Sequence, residues 1–214
     1  MSYNGAMIII GIDEAGRGPL AGPVSVGVFA APVSLKSKLV KILGGKIKDS
    51  KQLSPTKRRS IFAEFQSLKL TGEIDWHVAH SSAKMIDKHG ITHSIRKCIS
   101  TGLRRINNRD DRSKCLLRLD GLLKAPHEYT NQKTIIGGDA KDVFIACASI
   151  VAKVSRDSLM YRLSKKYPLY EFEVHKGYGT AVHCSLIKKH GFSPLHRLSF
   201  CHLTPSPSPR SRRG

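Results

Sequence analysis

The chain has 214 residues, 40% of them hydrophobic, enough for one α/β domain with a real core and short for two. Its longest apolar runs, such as residues 7–10 and 23–33, fall below the ~20 residues of a membrane-spanning helix, and no basic leader precedes them, so a cytoplasmic protein is expected. Lys and Arg outnumber Asp and Glu by 36 to 16, a formal net charge of +20, which points to nucleic acid as partner and, with no sustained basic amphipathic face, away from a membrane surface.

Residues 7–13 (MIIIGID) form an apolar run that ends in acid, the pattern of a strand buried on both faces. Residues 23–33 read as a second strand, partnering the first through a turn at 16–22. Ser54 and Pro55 before TKRRSIFAEF supply an N-cap and a first-turn proline for a basic amphipathic helix. A third strand is expected at 73–80, then a helical stretch from Ser82 that breaks near His89 and Gly90 and resumes from Thr92 to about Ile106. Residues 115–120 (CLLRLD) are another short apolar run capped by an acid, and 133–136 an edge strand. Residues 142–166 read as one long helix with a small apolar face, ended by Pro168. The segment from there to about His196 looks helical and irregular, and TPSPSPRSRRG (204–214) a disordered basic tail. Strands and helices alternate after one hairpin, so a mixed sheet flanked by helices with a helical C-terminal appendage is expected.

Five cysteines, odd in number and never paired as C-x-x-C, argue against both a disulfide framework and a zinc knuckle, and read as reduced small side chains. His89 and His93 have i, i+4 spacing but lack an accompanying His-Glu-x-x-His, so the ten histidines read as solvated.

In so basic a chain, acids that end apolar runs stand out. Asp13 ends one expected strand and Asp120 another. A buried lone carboxylate is costly, so such a group is protonated, paired or bound to a cation. If the two strands are neighbours, their carboxylates converge at one end of the sheet. Glu14 has to swing round at the strand's end to join them, because adjacent strand residues face opposite ways. Asp139, after Gly137 and Gly138, is a fourth acid just before the long helix. Taken singly, Asp120 or Asp139 reads as an N-cap or salt-bridge partner. Four acids together at strand and helix ends suit hard, oxygen-loving Mg²⁺ or Mn²⁺. With a polyanionic substrate they suggest two-metal phosphodiester hydrolysis, one ion generating the nucleophile and the other steadying the departing 3′-oxygen. Gly16-Arg17-Gly18 fits a dinucleotide fingerprint poorly, since the next glycine is Gly22 and Pro19 intervenes. A turn with so few side chains instead lets backbone groups meet a sugar or phosphate.

GIDEAGRGPLAGPV (11–24), DSKQLS (49–54), LDG (119–121), GDA (138–140), ACASIVAKVSRD (146–157) and HKGYGT (175–180) resemble, in order and spacing, the signature of the bacterial-type ribonuclease HII family. The first and fifth blocks are highly specific, LDG and GDA alone are not, and the GRG distinguishes this type from the related type III enzymes. The resemblance implies an α/β RNase H-like fold, with a mixed sheet flanked by helices and a C-terminal helical region. It implies one catalytic domain over 1–203, its core at about 7–166 and its helical region at 167–200, with the tail outside.

It further implies that Asp13, Glu14, Asp120 and Asp139 are the catalytic, metal-binding tetrad. Gly16, Arg17 and Gly18 are similar to the loop that meets the 2′-hydroxyl and flanking phosphate, the 2′-hydroxyl being what distinguishes RNA from DNA. Tyr178 resembles a tyrosine that packs on the adjoining deoxyribose, and Lys51 a phosphate ligand. Lys153 and Arg156 are expected contacts to the nucleic-acid backbone, a solvated helix face being an even alternative. Asp157 is expected to be structural, pairing with a neighbour such as Arg156 or capping a turn. Gly137 stands where the family often has a basic residue, which puts one phosphate contact in doubt, and Cys147 replaces a commoner alanine. The implied activity is hydrolysis 5′ to a ribonucleotide, in RNA–DNA hybrids and in duplex DNA with embedded ribonucleotides. The products are 3′-hydroxyl and 5′-phosphate ends, and the expected roles are repair of misincorporated ribonucleotides and hybrid removal by a monomer. Another nuclease or integrase-like enzyme on the same fold, or a non-catalytic nucleic-acid-binding protein, are the competing readings.

Overall fold

The computed structural model describes residues 7–45, 53–106 and 115–201. Lys51 and the basic tail lie outside the described residues. Five strands, β1 (Ile8–Ala15), β2 (Val24–Pro32), β3 (Asp75–Ser81), β4 (Cys115–Asp120) and β5 (Gln132–Ile135), form one mixed sheet in the order β3-β2-β1-β4-β5. β1 and β2 pair antiparallel, Ile8 opposite Pro32 and Ala15 opposite Ser25. β1 and β4 are parallel neighbours, Ile12 opposite Leu119.

The pleat divides β1 between two cores, as period-2 alternation requires. Ile8, Ile10 and Ile12 join Ile95, Ile99 and Leu103, which come from helix α4 (Ile91–Ile106). Ile9 joins Phe65 of α2 (Pro55–Leu70) and Cys147 and Val151 of α5 (Val143–Lys166) on the other face. Helix α5 presses close to the central strands. A Cβ at Gly11 would stand 2.0 Å from the Phe144 carbonyl oxygen, and one at Gly27 2.4 Å from that of Ala148. Glycines on the sheet that meet the helix backbone directly set this spacing.

Local signals explain the helix limits. Ser54 Oγ accepts from Lys57 N at 3.2 Å to start α2, and Asp142 Oδ1 caps Phe144 N and Ile145 N at 2.9 and 3.2 Å to start α5. The break near His89 and Gly90 is present: α3 (Ala83–His89) ends at Gly90, with φ at 81°, and α4 follows. The seven-residue α1 (Lys36–Ile42) was not anticipated. Only Leu39 among its residues is buried, too little apolar periodicity to announce a helix.

Past α5 the chain makes a one-turn α6 (Phe172–His175) and then α7 (Ala181–His190). This region is joined by backbone hydrogen bonds to the turn after β1. Leu20 N and Ala21 N donate to Gly177 O, Gly22 N donates to Leu195 O, and Arg197 N donates to Leu20 O, all within 2.7–3.2 Å. Cys98, Cys115 and Cys147 are buried, Cys184 and Cys201 half-buried, and all five are free thiols. The histidines divide differently from expectation. His89 and His93 are exposed, but His175, His183 and His196 are buried among Tyr170 and Phe172, because the C-terminal region has its own small core.

Candidate active site

One residue beyond the Ile12–Leu119 pair, each of the two parallel strands carries an acid, Asp13 and Asp120. Both line a cavity of about 300 Å³, together with Glu14, Asp139, Ser149 and Lys153. Asp13 is 5% exposed, and its Oδ1 accepts from Glu14 N at 2.7 Å. Burial pushes its carboxyl up to about 8, against a hydrogen bond from the Ser149 side chain, while the charges of Glu14 and Asp120 add to the rise. Asp120 Oδ1 accepts from Gly138 N at 2.6 Å, which ties the end of β4 to the turn Gly138–Ala140 carrying Asp139.

Glu14 reaches the cavity differently from expectation. β1 continues through Ala15, and Glu14 is still in register opposite Val26. No swing of the backbone is needed; its long side chain lies at the cavity, with Oε1 3.3 Å from Arg17 Nη1. Among the described residues no three His, Cys, Asp or Glu side chains are already drawn into a ligand cluster, so the four acids share a cavity wall rather than a preformed cage.

Gly16, Arg17 and Gly18 line the same cavity. Gly16 is buried at φ +83°, and a Cβ there would stand 1.9 Å from Arg156 Nε. Two wholly buried arginines hold this turn through its carbonyl oxygens. Arg197 donates from Nη2 to Gly16 O (2.7 Å), from Nη1 to Arg17 O (2.9 Å) and from Nε to Gly22 O (2.9 Å). Arg156 donates from Nε to Pro23 O at 2.9 Å and from Nη2 to Lys176 O at 3.0 Å. Burial, and then the neighbouring Arg156 charge, bring Arg197 down to about 9, still protonated at neutral pH.

Arg156 therefore corrects an expectation. It lies inside, spent on backbone carbonyls, and offers no exposed guanidinium to a phosphate. Asp157 pairs with Lys153, at 2.9 Å one turn back on α5, rather than with Arg156. Lys153 is half-buried and lines the cavity. Tyr178 is 43% exposed at the cavity wall, with Lys153 Nζ and Arg156 Cζ 6.0 and 5.8 Å from its ring centre.

A chain of neutral histidines holds Tyr178 from behind. His183 Nδ1 lies 2.9 Å from Tyr178 O and its Nε2 3.2 Å from His196 Nε2, while His196 Nδ1 accepts from Ser193 N at 2.8 Å. With Nδ1 of His196 accepting, its Nε2–H donates to His183, whose Nδ1–H donates to the carbonyl. Burial pushes His183 down to about 4 and His196 and His175 below their ordinary values.

Sequence reasoning overlooked Ser149, Arg197, His183 and His196 as members of this arrangement. Ser149 was visible on the small face of α5. Arg197 lies in an irregular segment, where no periodicity separates a buried arginine from a solvated one.

A family model described as ribonuclease HII matches residues 10–203. The chain is 44% identical over 199 residues to ribonuclease HII of Endomicrobium trichonymphae, covering 92% of this chain and 88% of that one. It is 42% identical over 196 residues to ribonuclease HII of Caldicellulosiruptor bescii, covering 92% and 87%. Among solved structures, ribonuclease H2 of Pyrococcus horikoshii superimposes with a TM-score of 0.69 at 28% identity, over 90% of this chain and 93% of that one.

Proposed function

The chain belongs to the ribonuclease HII family and is a type 2 ribonuclease H, an endonuclease for RNA–DNA hybrids; from that premise we propose that it cuts 5′ to a ribonucleotide, in hybrids and in duplex DNA containing single ribonucleotides, leaving 3′-hydroxyl and 5′-phosphate ends. One observation carries this reading: four carboxylates and the Gly16–Arg17–Gly18 turn line a single small cavity.

The donor set at that cavity fits a hard divalent cation. It offers carboxylate oxygens and no thiol or imidazole, which suits Mg²⁺ or Mn²⁺. A carboxyl pushed up to about 8, first by burial and then by the neighbouring Glu14 and Asp120 charges, is one that a cation would keep deprotonated. Asp13, Glu14, Asp120 and Asp139 would hold a pair of such ions, which supply charge neutralisation at the phosphate and an activated water.

The remaining roles fall to the chain's own groups. Ser149 and the Gly138 N–H fix Asp13 and Asp120. The turn at Gly16 and Gly18 presents backbone to the 2′-hydroxyl, with Arg17 reaching a flanking phosphate. Tyr178 packs on the adjoining deoxyribose and so favours an RNA-to-DNA junction. Lys51 and Lys153 contact phosphates. The catalytic unit in this reading is a monomer over residues 1–203, and ribonucleotide repair in the cytoplasm is the role this activity fits.

The experiment is a substrate panel with Mg²⁺ or Mn²⁺: all-DNA duplex, RNA–DNA hybrid, and duplex with one ribonucleotide. Cleavage of the last two but not the first is expected. Cleavage of all-DNA duplex, or binding with no cleavage of any substrate, would contradict the assignment.

A further inference from the structure

A second and larger cavity, about 1090 Å³, opens beside the acids, between α2, the edge strand β3 and the second half of α5. None of the four acids lines it. The two cavities meet at a single ion pair. Lys153 lines the acid cavity and Asp157, its partner at 2.9 Å, lines the larger one. These residues are four apart, about 6 Å along α5. The ion pair thus places the two linings side by side on one helix face, where a single strand can meet both.

The walls of this groove carry cations and aromatic faces together. Arg59 from α2 and Arg162 from α5 are exposed on it. Tyr161 is 52% exposed, with Lys165 Nζ 5.1 Å from its ring centre. Phe62 and Trp76 form a tilted pair, centroids 5.1 Å apart, half-buried in the floor. Its acids are Asp157, already neutralised by Lys153, and Glu173. His77 and His80 are kept neutral chiefly by burial. The groove is thus net positive, and its cations stand beside exposed ring faces rather than on a flat plateau.

We propose that this groove binds single-stranded nucleic acid continuous with the strand in the active site, phosphates against Arg59 and Arg162 and a base against Tyr161. A duplex cannot use it in this way, because its bases are stacked on one another and its backbones alone would meet the walls. Unpaired bases have free faces for aromatic side chains, and cationic walls track their phosphates. The substrate class follows: ribonucleotide-containing duplexes with a single-stranded arm next to the junction. This rests on the nuclease reading only for the direction from which the strand enters.

The test is equilibrium binding of the full-length protein, in EDTA so that nothing is cut, to a labelled single-ribonucleotide duplex. The duplex is made blunt, or with a ten-nucleotide oligo-dT arm on the 5′ or the 3′ side. One polarity of arm is expected to tighten binding by about tenfold, the size of one base–aromatic stack. Arg59→Ala with Arg162→Ala, and separately Tyr161→Ala, should remove that gain while leaving the blunt-duplex affinity and cleavage rate unchanged. These side chains are exposed, so the fold should survive, which circular dichroism checks. No gain from either arm, or a gain that persists in both variants, overturns the proposal. Failure to cleave the blunt duplex would count against the nuclease reading alone.

Discussion

The Arg197 guanidinium donates a 2.7 Å hydrogen bond to the carbonyl oxygen of Gly16, so a residue close to the end of the described chain holds the first glycine of the turn after β1. Its other two donors go to Arg17 O and Gly22 O. The turn that lines the cavity with the four acids is therefore held from the C-terminal region as well as from the sheet.

Arg197→Ala should destabilise the protein by on the order of 3 kcal/mol, because three carbonyls lose their donor in a dry site. Arg197→Lys keeps the charge but cannot span Gly16, Arg17 and Gly22 at once. It should fold, and its preference for a ribonucleotide duplex over all-DNA duplex in binding should fall several-fold. Denaturant titration checks the first and competition binding the second; an unchanged preference in the lysine variant would remove Arg197 from the reading of the turn.

Two glycines in the same turn should behave oppositely. Gly16→Ala forces a side chain onto φ +83° and 1.9 Å from Arg156 Nε, whereas a Cβ at Gly18 meets nothing within 4 Å. Thermal melts should show a large loss of Tm for Gly16→Ala and little change for Gly18→Ala. Equal losses would mean that Arg156 is not braced against the turn.

Acid should loosen the support behind Tyr178. His183 is held down to about 4, with His175 and His196 also lowered, so the unfolded chain binds more protons than the folded one below about 6.5. Stability is then fully present above that pH and falls as pH drops toward 4, by up to roughly 3 kcal/mol for His183 alone. Denaturant titrations at pH 7, 5.5 and 4.5 measure it. In His183→Asn the slope should be shallower; the same slope would place its origin elsewhere.

Much of this was legible in the sequence. The acids at the ends of residues 7–13 and 115–120 announced themselves because a charge ending an apolar run has few solutions, and the strands bearing them proved to be parallel neighbours. The cap at Ser54 and the break at Gly90 were readable because local backbone chemistry is read locally. What was not legible depends on distant packing. Arg156 looked like a helix-face cation because its period on α5 is ambiguous; only the approach of the 16–23 turn and Lys176 shows that it is enclosed. The buried histidines were hidden for the same reason, since short helices and turns packed on a small core of their own give polar residues no periodic mark of burial.

Tyr178→Ala should separate recognition from general affinity. The ring stands at the cavity wall, so cleavage of single-ribonucleotide duplex is expected to fall by about tenfold or more, while binding to all-DNA duplex changes little. Tyr178→Phe should retain most of the activity if the ring face does the work. A phenylalanine variant as poor as the alanine one would shift the role to the hydroxyl.

The most direct measurement is to map the cut in a duplex carrying one ribonucleotide, with Mg²⁺ or Mn²⁺, for the unaltered protein and for Asp13→Asn. The account predicts a single incision 5′ to the ribonucleotide with a 3′-hydroxyl end, and in Asp13→Asn no incision but retained or tighter substrate binding, since a ligand and a negative charge are removed together. An incision elsewhere, or an Asp13→Asn protein that folds, binds and still cuts, would contradict it.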